Sequence, residues 1–206
     1  MLFDLDGVLV DSEGEYSKFW GAIGDRYNRG AGFNNSIKGS TLVEILSHFP
    51  EGDRSLIADE LHEFERHMDY EVYPGVKRFL ATLASEGIPA AIVTSSDNYK
   101  MDCLFARHPE IRKAVGQIVT ADMVSRGKPD PECFLLGAKL IGVPIEDCFV
   151  FEDSMNGLKA ARASGGTVVA LATTNPVEAI APLSDVVIGS FEGITPALLE
   201  SVREGK

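Results

Sequence analysis

The sequence predicts an α/β fold in which a doubly wound parallel sheet carries an inserted helical unit. Short runs of apolar and β-branched residues recur along the chain, and two of them, residues 90–94 and 148–151, are almost entirely apolar. Strands that are buried on both faces have this composition. Amphipathic helical stretches alternate with these runs, as in parallel sheets covered by helices. One long segment, residues 13–73, has helical periodicity without convincing strands.

Six segments are predicted to form the strands of the sheet. They are residues 2–5, 90–94, 117–120, 148–151, 167–171 and 186–188. Helical spacing is found at residues 75–85, 131–141 and 155–163. In the first of these helices, Gly87 follows the last apolar position, where glycine commonly ends a helix. We therefore predict a core made of residues 1–12 and 75–206, with a helical cap at residues 13–74.

The composition is that of an acidic globular protein. Its 206 residues are 45% hydrophobic and 24% charged, which is enough for one good core and a small second unit. The formal net charge of −12 argues against nucleic acid and anionic membranes as partners, because both need basic surface. Cys103, Cys133 and Cys148 lack metal-binding spacing and are predicted to be free thiols. Without a signal peptide or a long apolar run, we predict a cytoplasmic protein. We also predict a monomer.

Two aspartates, Asp4 and Asp6, follow the first apolar run, and Gly7 comes directly after them. Residues i and i+2 of a strand point to the same face, so the two carboxylates are expected side by side at the carboxyl end of the strand. Open α/β sheets bind ligands at this edge. Neighbouring carboxylates repel each other unless one is protonated or a cation such as Mg2+ lies between them. Taken alone, the pair also fits a plain Asp-Gly turn.

Two further polar groups have a functional and a structural interpretation. Thr94, Ser95 and Ser96 follow the second apolar run and offer hydroxyls and successive amides to an anion. Such a cluster is more often a simple helix cap. Lys128, within the segment GKPDP, could provide a point charge for a phosphate or could be an ordinary exposed lysine.

Glu152 and Asp153 add two acids at the end of the fourth predicted strand, where a helix-capping role is the alternative. The four groups are much more informative together, because the carboxyl ends of parallel strands converge at one edge of the sheet. They supply carboxylates for a metal ion, hydroxyl and amide donors for an oxyanion, and a lysine for charge balance. This set predicts Mg2+-assisted phosphoryl transfer.

These segments resemble the motifs of the haloacid dehalogenase superfamily of phosphohydrolases, in the same order along the chain. The matching segments are DLDGVLVDS (4–12), VTSS (93–96), GKPDP (127–131) and FEDSMNGLKAA (151–161). The resemblance covers most of the chain outside residues 13–73 and implies a Rossmann-like core. The inserted segment resembles the helical cap of the branch that contains β-phosphoglucomutase and sugar-phosphate phosphatases.

The resemblance implies that Asp4 is the nucleophile and forms an aspartyl-phosphate. It implies that Asp6 is the general acid for the leaving alcohol and then the base for water. The Mg2+ ligands would be a carboxylate oxygen of Asp4, the backbone carbonyl of Asp6, and Asp153. Glu152 would contact the metal through water or would lie just outside the metal ligands.

The resemblance also implies how the phosphate is held. Thr94 and the Ser95 amide would bind the phosphoryl oxygens, and Lys128 would neutralise charge on the phosphate and on the nucleophile. The predicted partner is a small phosphorylated metabolite. Possible contacts with this substrate or with the cap are Ser12, Tyr16, Lys38, Ser96, Asp97 and Asn98.

Three functions are compatible with these residues. We predict a phosphatase for a sugar or polyol phosphate, because the chain departs from the resembled mutase pattern. Tyr16 replaces a histidine, no arginine follows Lys38 and Gly39, and Asp97 replaces a basic residue. A β-phosphoglucomutase-type mutase is the first alternative. The second is an inactive binding or regulatory protein that has kept the fold.

Overall fold

The computed structural model describes residues 1–30 and 32–204 of the chain. The strands are β1 (Leu2–Phe3), β2 (Val10–Asp11), β3 (Glu71–Val72), β4 (Ala91–Val93), β5 (Gln117–Val119), β6 (Phe149–Glu152), β7 (Thr167–Leu171) and β8 (Val186–Ile188). The helices are α1 (Glu13–Arg26), α2 (Phe33–Ile37), α3 (Leu42–Ser47), α4 (Arg54–His67), α5 (Val76–Glu86), α6 (Asn98–Arg107), α7 (Pro109–Ala114), α8 (Glu132–Ile141), α9 (Met155–Ser164), α10 (Val177–Ile180) and α11 (Pro196–Glu204).

Six of the strands form one parallel sheet in the order β5-β4-β1-β6-β7-β8. The chain runs outward from β1 through β4 to β5 on one side, and later from β6 to β8 on the other side. β1 is therefore the topological switch point, beside which open α/β sheets bind ligands. The six strands predicted from the sequence are the six strands of this sheet, so the predicted doubly wound α/β fold is confirmed.

Both faces of the sheet are covered by apolar clusters. Phe3 of β1 lies in one cluster and stacks on Phe151, with ring centroids 4.5 Å apart. Its neighbour Leu2 lies in the cluster on the opposite face. This alternation follows from strand geometry. Burial on both faces explains why the strands are almost continuously apolar in sequence.

The helices α1 to α4 have an apolar cluster of their own. Trp20 of α1 stacks against Phe49, and Ile57 and Leu61 of α4 complete the centre of this cluster. Thr41 begins α3 with a reciprocal capping box, which satisfies two otherwise unpaired backbone N–H donors. A separate apolar cluster is the packing expected of an inserted unit beside the sheet.

The sequence predicted no strand in residues 13–73, and this was wrong at the end of the segment. β3 pairs with β2 as a short antiparallel ribbon, with Val10 opposite Val72 and Asp11 opposite Glu71. A strand of two residues is too short to produce an alternating pattern, so neither strand can be recognised without its partner. The ribbon ties together the two places where the chain crosses between the sheet and helices α1 to α4.

Two further predictions concern the chain as a whole. Cys103, Cys133 and Cys148 are free, and the last two are buried. The longest helices, α1 and α4, have 14 residues each. Among the residues that the structure describes, no helix has the length and apolar character required to span a bilayer.

Candidate active site

Polar side chains from three adjacent strands meet at the carboxyl edge of the sheet. Asp4 follows β1, Thr94 follows β4, and Asp153 follows β6, and these strands are neighbours. The Asp4 N–H donates to the Phe151 carbonyl at 2.9 Å, which continues the strand pairing just past β1. All three side chains line one cleft. The structure therefore brings the first, second and fourth sequence motifs to the switch point of the sheet.

Lys128 connects Asp4 with the acids that follow β6. Its Nζ lies 2.6 Å from Asp4 Oδ1 and 2.5 Å from Glu152 Oε1, and its side chain is 2% exposed. Lys128 is therefore a buried, paired lysine and not an exposed surface residue. Burial alone would lower the pKa of Lys128, but the carboxylates of Asp4 and Glu152 outweigh this effect and hold the pKa above its usual value.

Glu152 organises the turn between β6 and α9. Its Oε2 accepts hydrogen bonds from the Asp153 N–H at 2.9 Å and from the Ser154 N–H at 3.0 Å. Ser154 in turn caps α9, because its hydroxyl accepts from the Gly157 N–H at 3.0 Å. Glu152 thus fixes both Lys128 and the backbone that carries Asp153. These contacts are consistent with the outer position that the resemblance implied.

The turn after β6 leaves no room for a side chain at Gly157, which yields a testable prediction. A Cβ there would fall within 3.0 Å of the Glu152 carboxylate, a separation that real Cβ atoms essentially never show. We expect Gly157→Ala to displace Glu152 and to lower the free energy of unfolding by about 1–3 kcal/mol, measured by urea denaturation.

Gly14→Ala is the matched control for this prediction. Gly14 lies in α1, and a Cβ there would meet no heavy atom within 4 Å. The control should be as stable as the wild type or more stable by about 0.5–1 kcal/mol, because alanine favours helix over glycine. A Gly157→Ala protein that is as stable as the Gly14→Ala protein would contradict the packing described for Glu152.

The carboxylates at this edge fit a divalent cation. Asp4, Glu152 and Asp153 each offer an oxygen, and these oxygens lie within 4.8 Å of one another. Thr174 donates to one oxygen of Asp153, but the other, Oδ1, is buried and has no hydrogen-bond partner. Buried polar atoms are rarely left without a partner. A hard cation with oxygen ligands, such as Mg2+, would satisfy this atom.

The pKa values of two of these carboxyls are raised, mainly because the groups are buried. Burial raises the pKa of Asp4 to about 7, with Lys128 opposing the rise and Glu152 adding to it. Burial, followed by the charges of Glu152 and Asp4, raises the pKa of Asp153 well above its usual value. Both rises come mainly from burial, and the charges of neighbouring carboxylates add to them. A bound divalent cation would relieve them.

Asp6 is held by a different set of donors. The Nζ of Lys100 lies 2.6 Å from Asp6 Oδ1 and 2.5 Å from Oδ2. The Ser96 hydroxyl donates to Oδ2 at 3.2 Å, and the Ser12 hydroxyl donates to Oδ1. Burial alone would raise the pKa of Asp6, but the charge of Lys100 and these hydrogen bonds lower it overall. Ser12 and Ser96, predicted as possible substrate contacts, thus contact Asp6.

The sequence analysis missed Lys100. It lies in the first turns of α6, shortly after the VTSS segment. This closeness to a motif is the only feature of the sequence that points to Lys100. A lone lysine is usually exposed, so its position carried little weight. In the structure Lys100 is 3% exposed and reaches the carboxylate of Asp6 across 94 residues of sequence.

The cleft lies between the sheet edge and helices α1 to α4. Thr94 and Ser95 line the sheet side, and the Ser95 hydroxyl donates to the Gly39 carbonyl at 2.9 Å. Lys38 lines the helical side and forms an ion pair with Glu13 at 2.7 Å. A concave site with a few converging polar side chains is typical of sites for small molecules.

Of the two remaining predicted contacts, Asp97 lines this cleft and Asn98 is not among its lining residues. Asp97 lines it, caps α6 by accepting from the Lys100 N–H at 3.0 Å, and pairs with His62 Nε2 at 3.2 Å. Asn98 donates its Nδ2 hydrogen to Asp122 at 2.8 Å. Asp97 therefore connects α6 with α4, whereas the side chain of Asn98 is hydrogen-bonded to Asp122.

Glu65, which the sequence analysis also missed, is buried beside this cleft. Its Oε1 accepts from the Tyr16 hydroxyl at 2.8 Å, and its Oε2 is buried without a hydrogen-bond partner. Burial raises the pKa of Glu65 to about 7, and the charge of Lys100 opposes the rise. Ionisation of Glu65 is therefore unfavourable in the folded protein.

The raised pKa of Glu65 predicts a pH dependence of stability. The folded state binds the proton of the Glu65 carboxyl more tightly than the unfolded chain does. The protonated carboxyl therefore makes its full contribution to the free energy of unfolding below about pH 4.5, and this contribution is lost as the pH rises to about 7. Between pH 5 and pH 8 we expect the free energy of unfolding of Glu65→Gln to fall by about 3 kcal/mol less than that of the wild type, measured by urea unfolding at both pH values.

Glu63→Gln is the control, since Glu63 is an exposed residue of the same helix. It should have the pH dependence of the wild type. If Glu65→Gln and wild type lose the same free energy of unfolding between pH 5 and pH 8, Glu65 does not have the raised pKa.

Comparison with known proteins identifies the family. The model of the haloacid dehalogenase-like hydrolase family matches residues 1–165. Hexitol phosphatase A of Escherichia coli (strain K12) is 34% identical over 204 residues, which cover 94% of this chain and 92% of that protein. A β-phosphoglucomutase of Mycobacterium bovis is 28% identical over 208 residues, covering 82% of this chain and 78% of that protein. The crystal structure of a hydrolase from Pseudomonas syringae matches with a TM-score of 0.83 and 26% identity, covering 98% and 97% of the two chains.

The chain belongs to the haloacid dehalogenase superfamily of hydrolases. Within this superfamily it is a phosphatase, as its relative hexitol phosphatase A is by name. The resemblance inferred from the four sequence motifs is therefore confirmed.

Proposed function

We propose that the protein catalyses the Mg2+-dependent hydrolysis of a small phosphomonoester, a sugar or polyol phosphate, through an aspartyl-phosphate on Asp4. The observation that carries this proposal is the group of Asp4, Glu152 and Asp153 oxygens within 4.8 Å of one another, with Lys128 bridging two of these carboxylates. The name of its relative, hexitol phosphatase A, supports a phosphorylated polyol or sugar as the substrate class.

Two carboxylates carry the proposed chemistry. An oxygen of Asp4 forms a bond to phosphorus, and the bond between phosphorus and the leaving oxygen breaks. Asp6 donates a proton to that oxygen, so the product leaves as an alcohol. In the second step, water attacks the phosphorus of the aspartyl-phosphate and gives its proton to Asp6. The bond between phosphorus and the Asp4 oxygen breaks, its electron pair returns to the Asp4 carboxylate, and inorganic phosphate is released.

The groups around Asp4 would hold the phosphate. We assign the Thr94 hydroxyl and the Ser95 amide to the phosphoryl oxygens, with Lys128 balancing negative charge beside them. Mg2+, when bound, would be held by Asp4, Asp153 and the backbone carbonyl of Asp6, and it supplies positive charge for the phosphoryl group. The buried Asp153 oxygen without a hydrogen-bond partner supports this assignment.

We further propose that residues 13–74 act as a cap over the cleft. The helical wall contributes apolar side chains such as Trp20 and Ile45 together with the polar side chains of Asn34 and Ser40. A mixed wall of this kind suits the carbon chain and hydroxyl groups of a polyol. Closure would exclude water from the reacting phosphate. The β2–β3 ribbon lies where the chain crosses into the cap.

Phosphate release from a panel of substrates tests this proposal. The panel contains hexitol, hexose and glycerol phosphates and nucleoside monophosphates, assayed with Mg2+, after EDTA treatment, and after Mg2+ is restored. We expect the highest kcat/KM for a polyol or sugar phosphate, loss of turnover with EDTA and recovery with Mg2+. A flat Mg2+ titration without turnover would favour an inactive binding protein. Isomerisation of a hexose phosphate without phosphate release would favour a mutase.

A further inference from the structure

Lys100 is a buried lysine that none of the sequence motifs explains. Its Nζ contacts both carboxylate oxygens of Asp6, at 2.6 Å and 2.5 Å, and its side chain is 3% exposed. Burial of an ammonium group is costly unless the group is paired. Because one cation holds both oxygens, the carboxylate of Asp6 is restrained in a single orientation.

The cap encloses the ammonium group of Lys100 from the other side. Nζ lies 4.3 Å from the centre of the Tyr16 ring, within the range of a cation–π contact. The Tyr16 hydroxyl donates to Glu65 Oε1 at 2.8 Å, which joins α1 to α4. Lys100 is thus held between an aromatic face of the cap and the carboxylate of Asp6 at the sheet edge.

The two buried lysines of the site serve different aspartates. Lys128 contacts Asp4, the proposed nucleophile, whereas Lys100 contacts Asp6, the proposed acid and base. The phosphate contacts that we assign involve the first lysine only. Lys100 therefore has a different place in the site, beside the group that exchanges protons with the leaving alcohol and with water.

We propose that Lys100 is a positioning residue that orients Asp6 to accept the proton of the attacking water when the aspartyl-phosphate is hydrolysed. This inference rests on the proposed function. In that step the water oxygen bonds to phosphorus, the bond from phosphorus to the Asp4 oxygen breaks, and its electron pair returns to the Asp4 carboxylate. The water proton passes to Asp6. Without Lys100, the carboxylate of Asp6 keeps only the hydrogen bonds from Ser12 and Ser96. Its orientation is then less restrained, and this step becomes slow.

The test uses p-nitrophenyl phosphate, whose leaving group departs without needing a proton. Formation of the aspartyl-phosphate then depends little on Asp6, and its hydrolysis still depends on Asp6. For Lys100→Met we expect a burst of p-nitrophenolate approaching one per enzyme molecule, followed by a steady rate about 10²-fold below that of the wild type. Mass spectrometry of the quenched reaction should show the phosphorylated protein accumulating.

Two further variants make the result specific. Lys139→Met removes an exposed lysine of α8 and should keep wild-type kinetics. Lys100→Gln removes the charge but keeps a hydrogen-bond donor, on a side chain that is one bond shorter. It should give the same burst with a smaller slowing of the steady rate, and it replaces Lys100→Met if circular dichroism shows that the methionine variant does not fold.

Two outcomes would overturn the inference while leaving the proposed function intact. The first is an equal loss of burst and steady rate in a folded Lys100 variant, which indicates a general structural role. The second is a steady rate equal to that of the wild type. If wild-type protein forms no phosphorylated protein with any phosphomonoester of the panel, the proposed function fails and the inference fails with it. That result differs from a failure of the inference alone, because the wild-type protein itself then forms no phosphorylated protein.

Discussion

Asp4→Asn is expected to reduce phosphatase turnover by about 10⁴-fold or more while the protein remains folded. An amide cannot act as the nucleophile that the carboxylate is proposed to be. The fold should survive, because burial already disfavours the charged form of this carboxyl and raises the pKa of Asp4 to about 7. The measurements are kcat for phosphate release at saturating Mg2+ and circular dichroism of the variant.

A matched substitution separates this effect from a general one. Asp102→Asn changes an exposed aspartate of α6 in the same way and should retain wild-type turnover. Mass spectrometry of wild-type protein quenched during turnover should find a phosphoryl group on the peptide that contains Asp4, and the Asp4→Asn protein should lack it. Turnover of Asp4→Asn near the wild-type rate would exclude this residue as the nucleophile.

Lys128→Met is expected to impair both stability and activity. The substitution leaves the carboxylates of Asp4 and Glu152 buried without the cation that lies 2.6 Å and 2.5 Å from them. Removing one partner of a buried ion pair costs about 3–5 kcal/mol, because a buried charge remains uncompensated. We expect a loss of this size in the free energy of unfolding measured with urea in EDTA, and loss of phosphate release with Mg2+.

A double variant tests the cause of this loss. Lys128→Met combined with Glu152→Gln removes one of the two uncompensated charges and should recover part of the stability but none of the turnover. Lys113→Met, at an exposed lysine of α7, should match the wild type in both measurements. A Lys128→Met protein with wild-type stability would mean that the buried ion pairs do not stabilise the fold.

The strands and their polar ends could be predicted from the sequence because the signals are local. Residues 167–171 and 186–188 were predicted with the bounds that β7 and β8 have in the structure. Asp4 and Asp153 could be placed at one edge because each directly follows an apolar run. Strand periodicity and the rule that parallel strands bind ligands at their carboxyl ends were sufficient for this step.

The contacts that orient Asp6 could not be predicted in this way. Lys100 reaches Asp6 from 94 residues away, and Tyr16 meets Glu65 across 49 residues. No local pattern distinguishes a lysine that will be buried from the many that remain exposed. The β2–β3 ribbon was missed for a similar reason, since each strand is defined by pairing with a distant partner.

The sequence by itself determined the class of this protein: the doubly wound sheet, the four motifs at its carboxyl edge and the acids suited to a metal ion. These features depend on spacing within a few residues, which the chain carries directly. Only the tertiary structure decided which cation faces which aspartate, with Lys128 on Asp4 and Lys100 on Asp6. That pairing depends on how the helices pack against the sheet, because packing alone brings such distant charges together out of water.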